Sequence, residues 1–532
     1  MESGAGRYLT WPALVVASVA AFLLLATNVR IQDFELNADQ LSVPAFAEEL
    51  LRNPRFDVTA WSFPAAPLVG DAILYIPLRA LFGAPLPSIL AFAVLHFALV
   101  VLGVVLLIRH ALDDRARRSL AVLAAAVLIL GFGFGATIDW RVFAWPFLPL
   151  AHSGALVAAI YAFLAYERAR EKRSAGWEAA GALLSFVGAL SDSLFVPIFP
   201  APYLVVLLAG AEDRAARLRC LRFAAVQAAA PLLARWLLSF TPASDLGLPS
   251  PHLFVRIAAL VEAYWKGGAL VVLCSVLAVA LTYGTIGAYL LCWWRRRARA
   301  LAAAFDRTVL FLALSGAANI LAVATIWSGE NLFNGKYAPA FQLFPPLVGA
   351  LLLARGLCAA TLPAAGGWLA GLAAAGAVLA GAAGAAAGIG TMLERRVAPN
   401  EAMQCLDEAG LRHGLGGYWE ARQVTLASGW RHQVDPLFPG TTTPFIHGNN
   451  ARSFQREMLT GAPIRYGFVI TNGIEEGEVI RAFGAPAERK TCGPYRLFVY
   501  PDAARLTETV QAMRPFVFGC ASCEISLRPA AE

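Results

Sequence analysis

Asp39, Asp71 and Asp139 are the side chains best placed in this sequence for proton chemistry. Asp39 stands in Asn37-Ala38-Asp39-Gln40, a short way past an apolar run of membrane-helix length. Pro44 and a helical pattern over 45–51 follow, then Trp61-Ser62-Phe63-Pro64, Pro67, Gly70-Asp71 and Leu74-Tyr75. The 45–51 stretch is amphipathic and suits a membrane surface. An acid at that boundary, part dry and part wet, can act as a general base. Asp71 opens the next apolar run, either as a second acid near the site or as a helix N-cap. Asp139 closes the third apolar segment, where it assists, binds a metal or pairs with Arg141. Arg235 lies inside the apolar run 224–240. A buried intramembrane guanidinium is a functional candidate and matches phosphate geometry, with snorkelling to headgroups as the structural alternative. His152 and Asp192 stand near the outer ends of helices, where they line a cavity or make structural hydrogen bonds. His447 stands in a loop of the tail, as a surface residue or an acceptor contact.

The elements that must position these groups are membrane helices. The chain has 532 residues, 58% hydrophobic and only 15% charged, with mean hydropathy +0.60. A soluble domain carries about 25% charged residues. The deficit excludes a disordered chain and an ordinary cytosolic enzyme. The apolar segments predict a polytopic α-helical membrane protein of about 11 spans, near 8–27, 87–108, 119–138, 148–166, 176–190, 193–210, 223–240, 267–293, 308–327, 339–356 and 366–391. The first run is too long for a signal-peptide core and reads as a retained helix. Basic clusters at 109–118, 168–173, 214–222 and 295–299 then fall on one side. That side is the cytoplasm by the positive-inside rule, with the N-terminus inside and the C-terminus outside. The net charge of +7 is explained by these loops, and no zinc-finger, P-loop or dinucleotide spacing points to nucleic acid. Trp61, Trp140, Trp145, Tyr264, Trp265 and Trp327 stand near outer boundaries, as expected of an aromatic belt.

Two domains follow: a membrane domain over 1–393, with its first outer loop at 28–86, and a small α/β domain outside the membrane over 394–532. In the tail, 400–411, 475–483 and 502–514 read as helices, and 466–471 and 496–500 as strands. Cys405, Cys492, Cys520 and Cys523 all lie in this tail. In an oxidising compartment they make two disulfides, favoured as Cys405–Cys492 and Cys520–Cys523, with a zinc site as the alternative.

The first loop resembles that of the GT-C glycosyltransferases, multi-spanning enzymes that use polyprenyl-phosphate sugars. The resemblance rests on Asp39-Gln40, Ala47-Glu48-Glu49-Leu50-Leu51 and the stretch 61–75, with Pro149-Leu150-Ala151-His152, Ser191-Asp192 and Gly417-Tyr418-Trp419-Glu420-Ala421 further on. Gln40 stands where the family often has a second acid. The resemblance implies an inverting transfer, and the high Ala, Gly and Arg content with a disulfide-capable outer tail suits the outer face of a bacterial inner membrane, with the tail in the periplasm. Asp39 is the implied base, with Asp139 and Asp71 as further acids. Arg235 and Lys336 would hold the donor phosphate, and His152, Asp192 and Tyr337 would line the cavity. The partners are the polyprenyl-phosphate donor, membrane lipid and a glycan, lipid or protein acceptor. Magnesium or manganese dependence stays open, because family members differ. A flippase or carrier for a lipid-linked substrate, or a non-catalytic scaffold of the same fold, are the competing readings.

Overall fold

The structure is a computed structural model. It describes residues 5–27, 40–63, 68–150, 152–211, 213–238, 269–296, 303–326, 337–359, 376, 379–384, 386 and 399–517. The chain divides into two compact units. One comprises Met1–Gln32, Val94–Ala234 and Gly247–Glu394; the other comprises Asp33–Ala93, Arg235–Leu246 and Arg395–Glu532. The first loop therefore groups with the tail, although sequence reading assigned it to the membrane domain.

The first unit is helical. Among the described residues four helices are long and apolar enough to cross a membrane: Pro85–Ala111, Arg117–Ile138, Val271–Leu291 and Phe305–Thr325. Thr10–Ala26 and Phe195–Ala209 are apolar but shorter. The expected eleven spans are thus not supported, and the reasons are local. The helix Ser153–Lys172 starts later than expected and ends in charge. The helix Ala175–Ser191 has only 17 residues. Phe199 interrupts the next segment, dividing Phe195–Ile198 from Pro200–Ala209. Arginines fill the first turns of Arg214–Leu238, and Pro339–Ala359 carries Pro345, Pro346, Gln342 and Arg355. The last expected span, 366–391, lies largely outside the described residues.

Small residues let these helices approach closely. A Cβ on Gly133 would lie 2.7 Å from the Ala21 Cα, and one on Gly103 would lie 2.8 Å from Ile160. The packed interior also holds one complete charge cluster. Glu167 is fully buried. It accepts a hydrogen bond from Tyr203 Oη at 3.0 Å, and from Arg170 and Arg307, each at 3.0 Å. His110 Nε2 lies 3.2 Å away.

The second unit contains a mixed five-stranded sheet of β2 His413–Gly417, β3 Gln433–Leu437, β6 Phe468–Ile470, β7 Glu488–Cys492 and β8 Tyr495–Val499. Its spatial order is β3-β2-β6-β8-β7. β3, β2 and β6 are parallel, whereas β8 runs antiparallel to both β6 and β7. Alternation along each strand feeds two cores. Leu415, Val469 and Phe498 pack on one face with Val479, Leu506 and Val510. Phe468, Ile470 and Leu497 pack on the other with Leu406 and Val424. The helices Pro399–Glu408, Glu476–Phe483 and Ala503–Ala512 match the expected segments to within a residue at their starts. β2, β3 and the helix Tyr418–Ala427 between them were not anticipated. Cys405 and Cys492 form a disulfide with Cα atoms 5.4 Å apart, the pairing favoured from sequence. Cys520 and Cys523 lie outside the described residues.

β2 reads His-Gly-Leu-Gly-Gly because β6 side chains occupy the space above it. A Cβ at Gly414 would sit 2.3 Å from the Phe468 ring. Gly414→Ala should therefore destabilise the sheet by about 1–3 kcal/mol, the usual cost of overpacking. Thermal unfolding of the full chain in detergent checks this, and a melting profile equal to the parent's would refute the tight contact.

Candidate functional site

The second unit places the first-loop segment against the tail. The helix Ser42–Arg52 supplies two acids from its buried face. Glu48 and Glu49 are 0% and 2% exposed, while Leu50 and Leu51 are 42% and 44% exposed. The buried face also carries Val43, Ala45 and Ala47, so the two carboxyl groups are buried among apolar side chains.

Each acid is accommodated differently. Glu48 pairs with Arg79 through Arg79 Nε to Oε1 and through Nη2 to Oε2 at 3.0 Å, and with Arg52 at 3.3 Å. Glu49 Oε2 accepts from Asn450 Nδ2 at 2.9 Å. Asn450 is itself held by strand pairing. The short strand β1, Trp61–Ser62, runs antiparallel to β5, Asn449–Asn450, with Trp61 opposite Asn450. Arg452 adds an ion pair to Asp57 at 2.6 Å. Trp61 is buried against Phe46, with ring centroids 5.3 Å apart.

A second buried acid comes from β3. Asp435 accepts from Tyr466 Oη at 2.7 Å and from Gln433 Nε2 at 3.2 Å. Glu49, Asp435, Arg422 and Asn449 line one small cavity. Arg422 donates to the carbonyls of His447 and Gly448 at 3.0 and 2.6 Å. Gly448 has φ +56°, and a Cβ there would lie 3.2 Å from the Ser42 Cβ. Burial pushes Glu49 up to about 8; Asn450 opposes the shift and the Asp435 charge adds to it. Burial also raises Asp435, against hydrogen bonds from Ser453, Tyr466 and Gln433. At neutral pH Glu49 therefore keeps its proton, so the cavity offers a neutral carboxyl donor beside a second acid and a guanidinium.

The first unit holds a separate constellation. His152 Nδ1 lies 2.6 Å from Asp192 Oδ2, and the two side chains are 13% and 1% exposed. Asp192 Oδ1 accepts the Leu194 N–H at 2.9 Å. The Tyr337 ring lies 4.6 Å from the His152 ring. Asn319 fixes Tyr337 by donating to its carbonyl at 3.0 Å, and its Oδ1 accepts from Ala340 N–H at 3.2 Å. Three residues assigned from sequence to one cavity wall are thus brought together.

The other candidates fare differently. Asp39 and Lys336 lie outside the described residues, as do Tyr264, Trp265 and Trp327. Asp139 falls in the helix Arg115–Phe143. Asp71 is buried in the first turn of Val69–Phe82, but the N-cap position belongs to Leu68. Arg235 is exposed in the last turn of its helix, not buried as expected. Trp61 and Trp145 are core residues, 1% and 0% exposed, not belt residues. His447 is half-buried and stacks on Phe445 at 5.3 Å. Among the described residues no group of three or more His, Cys, Asp or Glu could hold a metal ion. Glu49, Asp435 and Arg422 escaped sequence reading. Adjacent acids in an amphipathic stretch look like a solvated face until the tail covers them.

No family model matches the chain, and no curated protein matches it.

Glu49 sets a pH dependence for the second unit. Its ordinary value is 4.5 and its folded value is about 8, so between these values the folded state holds a proton that the unfolded chain has lost. Its contribution is complete below about pH 4.5 and is lost as pH rises toward 8, a change on the order of a few kcal/mol. The melting midpoint of the full chain should fall across this window. Glu49→Gln should flatten the fall and melt higher than the parent at pH 8. Parallel curves for both proteins would assign the dependence to another group.

Proposed function

We propose that the chain is an inverting glycosyltransferase of the membrane, moving a sugar from a polyprenyl-phosphate donor to a hydroxyl on a glycan, lipid or protein. In this reading it acts at the outer face of a bacterial inner membrane, with a cytoplasmic N-terminus and the tail in the periplasm. The observation that carries the proposal is the union of the first loop with the tail in one compact unit. Such a reaction needs an acid at the membrane face and a polar surface that receives the acceptor. The segment after Asp39 supplies that frame. Gln40 is 1% exposed, and the following helix is anchored through Glu48 and Glu49. Apolar helices of membrane length supply the environment for a prenyl chain. The Cys405–Cys492 disulfide suits an oxidising compartment.

Asp39 takes the proton from the acceptor hydroxyl in this mechanism. The hydroxyl oxygen attacks the anomeric carbon, and the bond to the lipid phosphate breaks with its electron pair on the phosphate oxygen.

Transfer from radiolabelled polyprenyl-phosphate hexoses and pentoses by purified protein in lipid tests the proposal. The parent should transfer from at least one donor. Asp39→Asn should lose about 10²–10⁴-fold in rate, with an unchanged melting midpoint. Absence of transfer from every donor by folded parent would count against the enzyme reading and favour a carrier.

A further inference from the structure

The helix Arg214–Leu238 begins with positive charge where a helix least needs it. Arg214, Arg217, Arg219 and Arg222 all fall before Phe223. A helix N-terminus is the positive end of the dipole, so these guanidinium groups do not stabilise the helix itself. Asp213 does not neutralise them: its carboxylate caps the helix, accepting the Ala216 N–H at 2.6 Å. Arg222 donates to Glu178 at 2.8 Å. Arg214, Arg217 and Arg219 are exposed and make no ion pair among the described residues.

The other side of the helix is fixed. Cys220 and Phe223 are buried, and the Phe223 ring meets those of Tyr166 and Tyr203 at 5.1 and 5.2 Å. The exposed side therefore has one settled orientation. Along it Arg214, Arg217, Leu218, Leu221 and Arg222 have the spacing of a single helix face. Leu218 and Leu221, between the arginines, are 59% and 67% exposed. Beyond Arg222 the exposed side chains as far as Leu233 are uncharged, so charge gives way to apolar surface along one helix. The Glu178 pair brings a second turn to the same place. Glu178 lies in the first turn of Ala175–Ser191. Lys172 and Arg173, just before that helix, are exposed, as is Trp177.

Arginines interleaved with exposed leucines and flanked by a tryptophan match the boundary of a bilayer. Guanidinium groups meet phosphates there, and the leucines enter the acyl layer. We infer that Arg214, Arg217 and Arg219, with Leu218 and Leu221, form a surface that binds the phosphodiester headgroups of anionic phospholipids. The planar fork of a guanidinium matches a phosphodiester, and its charge is constant across the physiological pH range. A nucleic acid would meet the same charge but would leave the leucines in water. The surface does not depend on the transferase reading, because a carrier or scaffold with this helix would hold the same lipids.

Native mass spectrometry of the full chain, titrated in detergent with phosphatidylglycerol or phosphatidylcholine of the same acyl chains, tests this. Only the first lipid carries a net negative charge. The parent should retain phosphatidylglycerol several-fold more tightly than phosphatidylcholine. The triple variant Arg214→Gln, Arg217→Gln, Arg219→Gln should bind phosphatidylglycerol about tenfold or more weakly. Its retention of phosphatidylcholine and its melting midpoint should match the parent's. Equal retention of phosphatidylglycerol by parent and variant would overturn the inference, as would a parent with no preference between the two lipids. Inorganic phosphate at the lipid's concentration should not displace it; displacement would overturn the assignment to a lipid. Should the variant melt below the parent, the parent alone decides. Raising salt from about 0.1 M to about 0.5 M should remove most of its preference, because exposed charges are screened. A preference that survives high salt would overturn the inference.

Discussion

A carboxyl group in a dry interior must be neutralised, paired or protonated, and this chain organises itself around that constraint. Burying an unpaired charge costs several kcal/mol, so each buried acid dictates what must lie beside it. Glu167 is met by two arginines, a tyrosine and a histidine. These partners come from different helices, so the cluster specifies how the helices are registered. Glu48 is met by Arg79 and Arg52. Asp192 is met by His152. Glu49 has only an amide donor bonded to it and keeps its proton instead.

The two solutions have different consequences. Paired charges hold elements together at any pH near neutrality. A protonated acid holds them only while the proton stays. The helix Ser42–Arg52 uses both on successive residues: Glu48 ties it to the helix Val69–Phe82, and Glu49 ties it to β5. The same helix leaves Leu50 and Leu51 exposed. Val43, Ala45 and Ala47 share the buried face with the two acids. Exposed leucines on this helix suit a lipid interface, the role the amphipathic pattern suggested.

Close packing sets the remaining geometry. Gly414 admits the Phe468 ring over β2, and Gly133 admits Ala21 between two helices. In both units the missing side chain is filled by a neighbour distant in sequence. The glycine is legible in the sequence, but its neighbour is not.

The sequence by itself determined the class of the protein and much of its local structure. Apolar length and low charge marked helices of membrane length, and residue periodicity marked the helices Pro399–Glu408, Glu476–Phe483 and Ala503–Ala512 and the strands β6 and β8. These features depend on neighbours along the chain. Cys405 and Cys492 were favoured as partners because that pair ties the first tail helix to a late strand and leaves Cys520 and Cys523 as a local pair. Among the described residues four helices reach membrane length where eleven spans were expected, and the break at Phe199 within 193–210 is set by local backbone, not by apolar length. β2 was missed because glycine-rich strands carry no side-chain alternation to read. What only the tertiary structure decided was which acids are buried. Glu49 and Asp435 are 386 residues apart in numbering and line one cavity, and His152 meets Asp192 across 40 residues. Their chemistry comes from desolvation and from partners brought in by the fold, and neither is encoded in the spacing of a motif.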